Sequence, residues 1–141
     1  MSPSTNHTTA PAGRGQSQTI NLTGKIAQID GHWQPRVVAE INDYQFKVVK
    51  VEGEFVWHHH ADTDETFIVL EGELRIDMRT GSSGETSIVL RAGEMAVVPK
   101  GVEHKPSAAK EVKMLLIEPR GVANTGEAPA GERTVENDQW I

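Results

Sequence analysis

GEFVWHHHADTDETFIVLEG, residues 53–72, places three of the chain's six histidines side by side and follows them with Asp62, Asp64 and Glu65. Successive side chains of an extended segment point to opposite faces, so His58 and His60 share one face and His59 takes the other. That arrangement offers two ligands, not three. The ADTD stretch reads as a turn, with Asp62 and Asp64 as turn formers. Glu65 then opens the next run, ETFIVLE, against the two histidines. Imidazole and carboxylate at this density make either a solvated polar turn or a metal site, and the rest of the chain has to decide between them.

Outward from this stretch, short β-rich runs alternate with turn residues: RVVAEI, YQFKVVKV, EFVWHHH, ETFIVLE, ELRIDMR, TSIVLR, EMAVVP, EHKPSA and VKMLLIEP. Many short strands with close turn signals predict an all-β sandwich or barrel. TGSSGE, residues 80–85, is a polar loop between two strands. In VPKG, residues 98–101, proline then glycine supply the fixed and the permissive φ of a tight turn. Ahead of the strands, Leu22, Ile26 and Ile29 recur at helical spacing before Gly31, which predicts one short N-terminal helix. The expected organisation is a disordered segment over 1–19, a helix and linker over 20–35, a barrel over 36–119 and a polar tail over 120–141. The first of these is rich in Ser, Thr, Pro and Gly and lacks the apolar groups that would offset its ordering entropy. The tail ends in Trp140 and Ile141, which are expected to dock on the barrel or on another subunit. No internal repeat is visible.

A chain of 141 residues has room for one domain, which at this size buries roughly 70% of the surface its unfolded form exposes. The net charge of −6, without any run of lysine or arginine, disfavours nucleic acid and anionic lipid as partners. The absence of cysteine removes disulfides, thiolate ligands and cysteine nucleophiles, so a metal would have to be held by histidine and carboxylate. No basic-then-apolar leader pattern opens the chain, and no run of about 18 apolar residues suggests a membrane span. The expectation is a soluble cytoplasmic protein.

A second segment, GEMAVVPKGVEH at residues 93–104, carries Gly93, Pro99, Gly101 and His104. Together with His58, His60, Glu65 and Gly72 of the first segment, these residues resemble the two sequence motifs of the cupin superfamily, over roughly residues 44–118. Ordered agreement at all of these positions is far more specific than any one short motif. The resemblance implies a small single-domain cupin of the type-2 kind, a double-stranded β-helix or jelly-roll barrel. It implies His58, His60, Glu65 and His104 as ligands of one divalent ion. The strand alternation agrees with that set, with His104 arriving from a distant segment just past the Pro-Gly turn. Three imidazoles and one carboxylate suit Fe, Mn, Ni, Cu or Zn, whereas Ca and Mg prefer oxygen shells. Four protein ligands leave two positions open on an octahedral ion, as a Lewis-acid or oxygen-activating centre requires.

The superfamily hosts dioxygenases, isomerases, decarboxylases, storage proteins and sensors, so the resemblance leaves the reaction open. The leading expectation is a metalloenzyme with oxygenase-like chemistry on a small molecule, in which Glu65 can loosen from the ion to act as a base. The alternatives are a sugar or polyol isomerase or epimerase, and a non-catalytic ligand-binding or sensory cupin. His7, His32 and His59 read as solvated histidines. By alternation, Phe55 and Trp57 point away from the ligands and create an outer apolar face, which the helix or a second subunit would cover. On that ground a homodimer is expected. Glu54 and Val56 are expected on the ligand face, together with Phe46, Val48, Phe67 and Val69.

Overall fold

Apolar residues at every second position drive nearly half of the described chain into strands, and in the computed structural model, which describes residues 17–141, these form one antiparallel system. Most of the stretch expected to be disordered, and His7 within it, lies outside the described residues. The strands are β1 (Arg36–Ile41), β2 (Tyr44–Glu54), β3 (Glu65–Glu71), β4 (Glu73–Arg79), β5 (Glu85–Arg91), β6 (Met95–Val98) and β7 (Glu103–Pro119). They run in the order β1-β2-β7-β3-β6, while β4 pairs with both β5 and β7. The fold is the expected all-β barrel with one short helix.

β7 organises it. Its first part pairs with β4, from Glu103↔Arg79 to Ser107↔Arg75. Its last part lies between β2 and β3, so that Ile117 faces both Phe46 and Thr66. The runs EHKPSA and VKMLLIEP, which read as two strands, are thus one strand of 17 residues. Its inward positions keep strict alternation: His104, Pro106 and Ala108, then Val112, Met114, Leu116 and Glu118, all buried.

The barrel has two apolar clusters. The inner one joins Val49, Val51, Phe67, Val69, Leu74, Ile76, Val112 and Met114 with Trp33 and Phe55. The outer one joins Val38 and Val48 to Ile26 and Ile29, with Phe46, Leu115 and Ile141 packed against it. The helix, α1 (Leu22–Ile26), is capped by Asn21, whose side chain accepts from the Gly24 N–H at 2.9 Å. It is shorter than the apolar spacing predicts: Ile29 reaches the cluster from a turn beyond the helix end.

Phe46 and Val48 therefore sit under the helix, not on the ligand face, a correction with a local cause. Lys47, Val49, Val51 and Phe55 share one parity and are all buried, and the β2 ladder ends at Glu54. Parity changes in residues 55–57, which are not strand, so that Phe55 and His58 both face inward three positions apart. Parity counted backward from His58 thus fails beyond them. Phe67 and Val69, which no bulge separates from Glu65, do face inward.

The tail returns to the barrel. Val37 donates its N–H to Gln139 O at 2.7 Å and accepts from Ile141 N at 3.1 Å, with Trp140 bridged to Val37. Trp140 and Ile141 thus dock on the body of the same chain. Among the described residues, no helix is long and apolar enough to cross a membrane.

Candidate metal centre

The two histidine-bearing segments are stitched together by backbone. His58 and His104 exchange both of their peptide hydrogen bonds, at 3.0 and 2.8 Å. His60 O accepts from Gly101 N at 2.9 Å, and Asp64 Oδ1 accepts from Lys100 N at 2.9 Å. The ADTD and Pro-Lys-Gly turns thus clamp one another, Asp64 serving as the acceptor between them. Glu65 begins β3 opposite Val98 of β6. These constraints bring His58, His60, Glu65 and His104 together, with their candidate ligand atoms all within 4.8 Å of one another and all four side chains buried.

The backbone also sets the tautomers. His58 Nδ1 donates to Val56 O at 3.0 Å and His104 Nδ1 donates to Val102 O at 2.9 Å. With Nδ1 protonated, Nε2 of each neutral ring keeps its lone pair, the form that binds a metal. Burial, reinforced by neighbouring His104, lowers His58 to about 4, so its ring is neutral at physiological pH. Burial alone would push the Glu65 carboxyl up, but hydrogen bonds from His104 and His60 hold it well below the usual carboxylate range. Burial likewise works to lower His60, and its hydrogen bond to Glu65, 3.1 Å from Nε2, outweighs that and raises it. His104 Nε2 lies 3.3 Å from the same oxygen. Without a metal, only shared protons make these contacts attractive. A divalent cation satisfies the same lone pairs without them, so the donor set fits such an ion.

Beside the cluster is a small pocket, about 30 Å³ in cavity volume and partly open to solvent, lined by residues including Trp33, Phe55, His58, Glu65, Met114 and Glu118. Trp33 and Phe55 stack at 4.8 Å, and Phe55 meets the His58 ring edge-on at 5.1 Å. Phe55 therefore points inward, contrary to the alternation argument, while Glu54 and Val56 are exposed and do not share the ligand face. The reason is the same loss of ladder after Glu54: residues 55–57 are not strand, and Phe55 and His58 both face inward three positions apart. Trp57 is half-buried under the Arg79 guanidinium, 4.0 Å from its ring. His32 lies at the surface, 2.8 Å from Glu111.

Glu118 and Lys47 are parts of this interior that motif reading missed. Lys47 Nζ donates to Glu118 Oε1 at 2.8 Å with both side chains buried, and Glu118 Oε2 has no hydrogen-bond partner among the described residues. Burial and the nearby Glu65 charge push Glu118 up to about 7, against the pull of Lys47. The signal was present in VKMLLIEP, where period two carries a carboxylate to an inward position. The tail closes the site from outside. Glu127 N donates to His59 O at 2.9 Å, and Arg133 donates to Glu54 O at 3.1 and 3.2 Å. Gly126 has φ +54°, and a Cβ there would collide with the His59 carbonyl.

Residues 45–120, more than half of the chain, match the family model of the cupin domain. The chain belongs to that family. A cupin-2 domain protein from Shewanella frigidimarina is 60% identical and superposes with a TM-score of 0.68, over 74% of this chain and 98% of its own. The uncharacterized protein YdbB of Bacillus subtilis is 38% identical over 81 residues, 57% of this chain and 68% of that protein. Hydroquinone 1,2-dioxygenase from Sphingomonas sp. TTNP3, solved with 4-nitrophenol, is 26% identical with a TM-score of 0.66. That alignment covers 74% of this chain but only 33% of the dioxygenase chain.

Proposed function

We propose that the protein is a metal-dependent enzyme with oxygenase-like chemistry on a small molecule, and that His58, His60, Glu65 and His104 hold its single divalent transition-metal ion. The observation that carries this reading is the convergence of four buried donors, two with backbone-locked tautomers, at the edge of a mostly apolar pocket. When bound, such an ion supplies Lewis-acid and oxygen-activating chemistry at the positions the protein leaves open. The chain's own residues do the rest. Trp33, Phe55, Phe67 and Met114 exclude water and orient an apolar body, and Glu65, ionised within the ligand set, would act as a base on loosening from the ion. Similarity to part of a dioxygenase supports this class.

The apolar lining argues against a sugar or polyol isomerase, whose substrate would need hydrogen-bond partners along every wall. Metal analysis of the purified protein followed by oxygen consumption with a panel of small phenols tests the reading. Bound transition metal with substrate-dependent oxygen uptake, lost in His104→Ala, is the expected result. A metal-loaded protein that binds such molecules and consumes no oxygen would establish the non-catalytic ligand-binding alternative instead.

A further inference from the structure

Glu118 is a carboxylate that the metal cluster does not use, and its two oxygens have different fates. Oε1 is held by Lys47 Nζ at 2.8 Å, whereas Oε2 is buried with no hydrogen-bond partner among the described residues. A buried acceptor left unpaired is costly, and native structures retain few of them. Its place identifies what the atom serves. The pairing Thr66↔Ile117 brings Glu65 and Glu118 to adjacent inward positions on β3 and β7, and both residues line the pocket beside the metal cluster. The other polar side chain on the wall, Asn124, is already committed: its amide donates to Arg133 O at 2.6 Å and its oxygen accepts from Val135 N at 3.1 Å. Gln45 also has an unpaired buried oxygen, but it does not line this pocket.

We propose that Glu118 Oε2 is the pocket's second polar anchor, accepting a hydrogen bond from the hydroxyl of a small, largely apolar ligand of the phenol class. The apolar body follows from the walls, where Trp33 and Phe55, stacked on one another at 4.8 Å, join Phe67 and Met114 in one apolar surface. The hydroxyl follows from Oε2. The role of Lys47 is to position the carboxylate, leaving one oxygen free for the ligand. The inference deepens the reading of this pocket as a substrate site, yet its test requires no turnover.

Calorimetric titration of the full chain, buffered above the value of about 7 to which burial pushes the Glu118 carboxyl so that Oε2 is an ionised acceptor, compares phenol, anisole and toluene, three molecules of similar shape of which only phenol donates a hydrogen bond. In Glu118→Gln, Lys47 retains the side-chain oxygen and an amide N–H₂ donor replaces the free acceptor. The substitution is expected to weaken phenol about tenfold, as loss of a hydrogen bond to a charged group does, and to leave toluene unchanged. Metal content is also expected to stay the same. In the unsubstituted protein, anisole should bind about tenfold more weakly than phenol, a comparison that holds even if Glu118→Gln folds poorly. Failure of phenol to bind, equal binding of phenol and anisole, or loss of metal in Glu118→Gln would each overturn the assignment. Failure of the oxygenase reading would show instead as absent oxygen uptake with the phenol preference intact.

Discussion

Val48 and Val49 are neighbours on β2 and equally buried, yet they belong to different parts of the molecule. Val49 packs in the inner cluster that walls the pocket, whereas Val48 packs in the outer cluster with Ile26, Ile29 and Val38. The inner face also carries His58, His60, Glu65, His104, Lys47 and Glu118, polar groups whose burial opposes folding unless each is paired. The outer cluster carries no such load. One residue of register separates a face that divides its burial between stability and chemistry from one that serves stability alone.

The largest test of this division is ligand removal. His58→Ala and His104→Ala are expected to abolish metal retention on elemental analysis, while His59→Ala, whose side chain points away, keeps the metal. A His59 variant that alone lost it would break the register argument. Next, Ile26→Ala truncates a side chain that is 1% exposed and should lower stability by about 2–5 kcal/mol in chemical denaturation. Metal content is expected to be unchanged, and a matching loss of metal would show that the two faces are not separable. Gly126→Ala should cost about 1–3 kcal/mol through its left-handed backbone and its collision with the His59 carbonyl. Equal thermal midpoints for variant and parent would mean that the tail does not hold this geometry in solution.

A smaller effect concerns pH in chelator-treated protein. Folded Glu118 keeps its proton up to about 7 whereas an ordinary glutamate releases it near 4.5, so its contribution falls as pH rises through that window. Folded His58 titrates at about 4 instead of 6.5, so its contribution runs the other way: stability is lost as pH falls from 6.5 towards 4. The two oppose one another over the same range. Glu118→Gln removes one of them, and its melting temperature should therefore climb more steeply with pH between 4.5 and 6.5 than that of the parent. Parallel profiles would contradict the assignment of the raised group to Glu118.

The smallest expected change is in assembly. The homodimer argument relied on an outward Phe55 and Trp57, and that face does not exist. We keep the homodimer as a proposal, and the exposed Val89 of β5 and Met95 and Val97 of β6 are the apolar residues that a second copy would cover. Light scattering returning the 15.4 kDa mass of one chain would dismiss the dimer.

The candidate site was more legible than the surface around it. His58, His60, Glu65 and His104 could be selected because few residue types can hold a metal and their spacing recurs with Gly72, Gly93, Pro99 and Gly101 in order. The all-β class was legible because period-two alternation is a local property of the chain. The faces of Phe46, Val48 and Phe55 were not, because the β2 ladder ends at Glu54 and the non-strand residues 55–57 change inward parity without an apolar signature of their own.

By itself, then, the sequence determined the donor chemistry and the strand-forming pattern, since both reside in side-chain identity and short-range spacing. Only the tertiary structure decided that Lys47 meets Glu118, 71 positions away, that Trp33 stacks on Phe55, and that Gly126 abuts His59. Those contacts join segments remote along the chain. They arise from β7 lying between β2 and β3 and from the tail folding back over the pocket, and neither leaves a periodic trace in the residues involved.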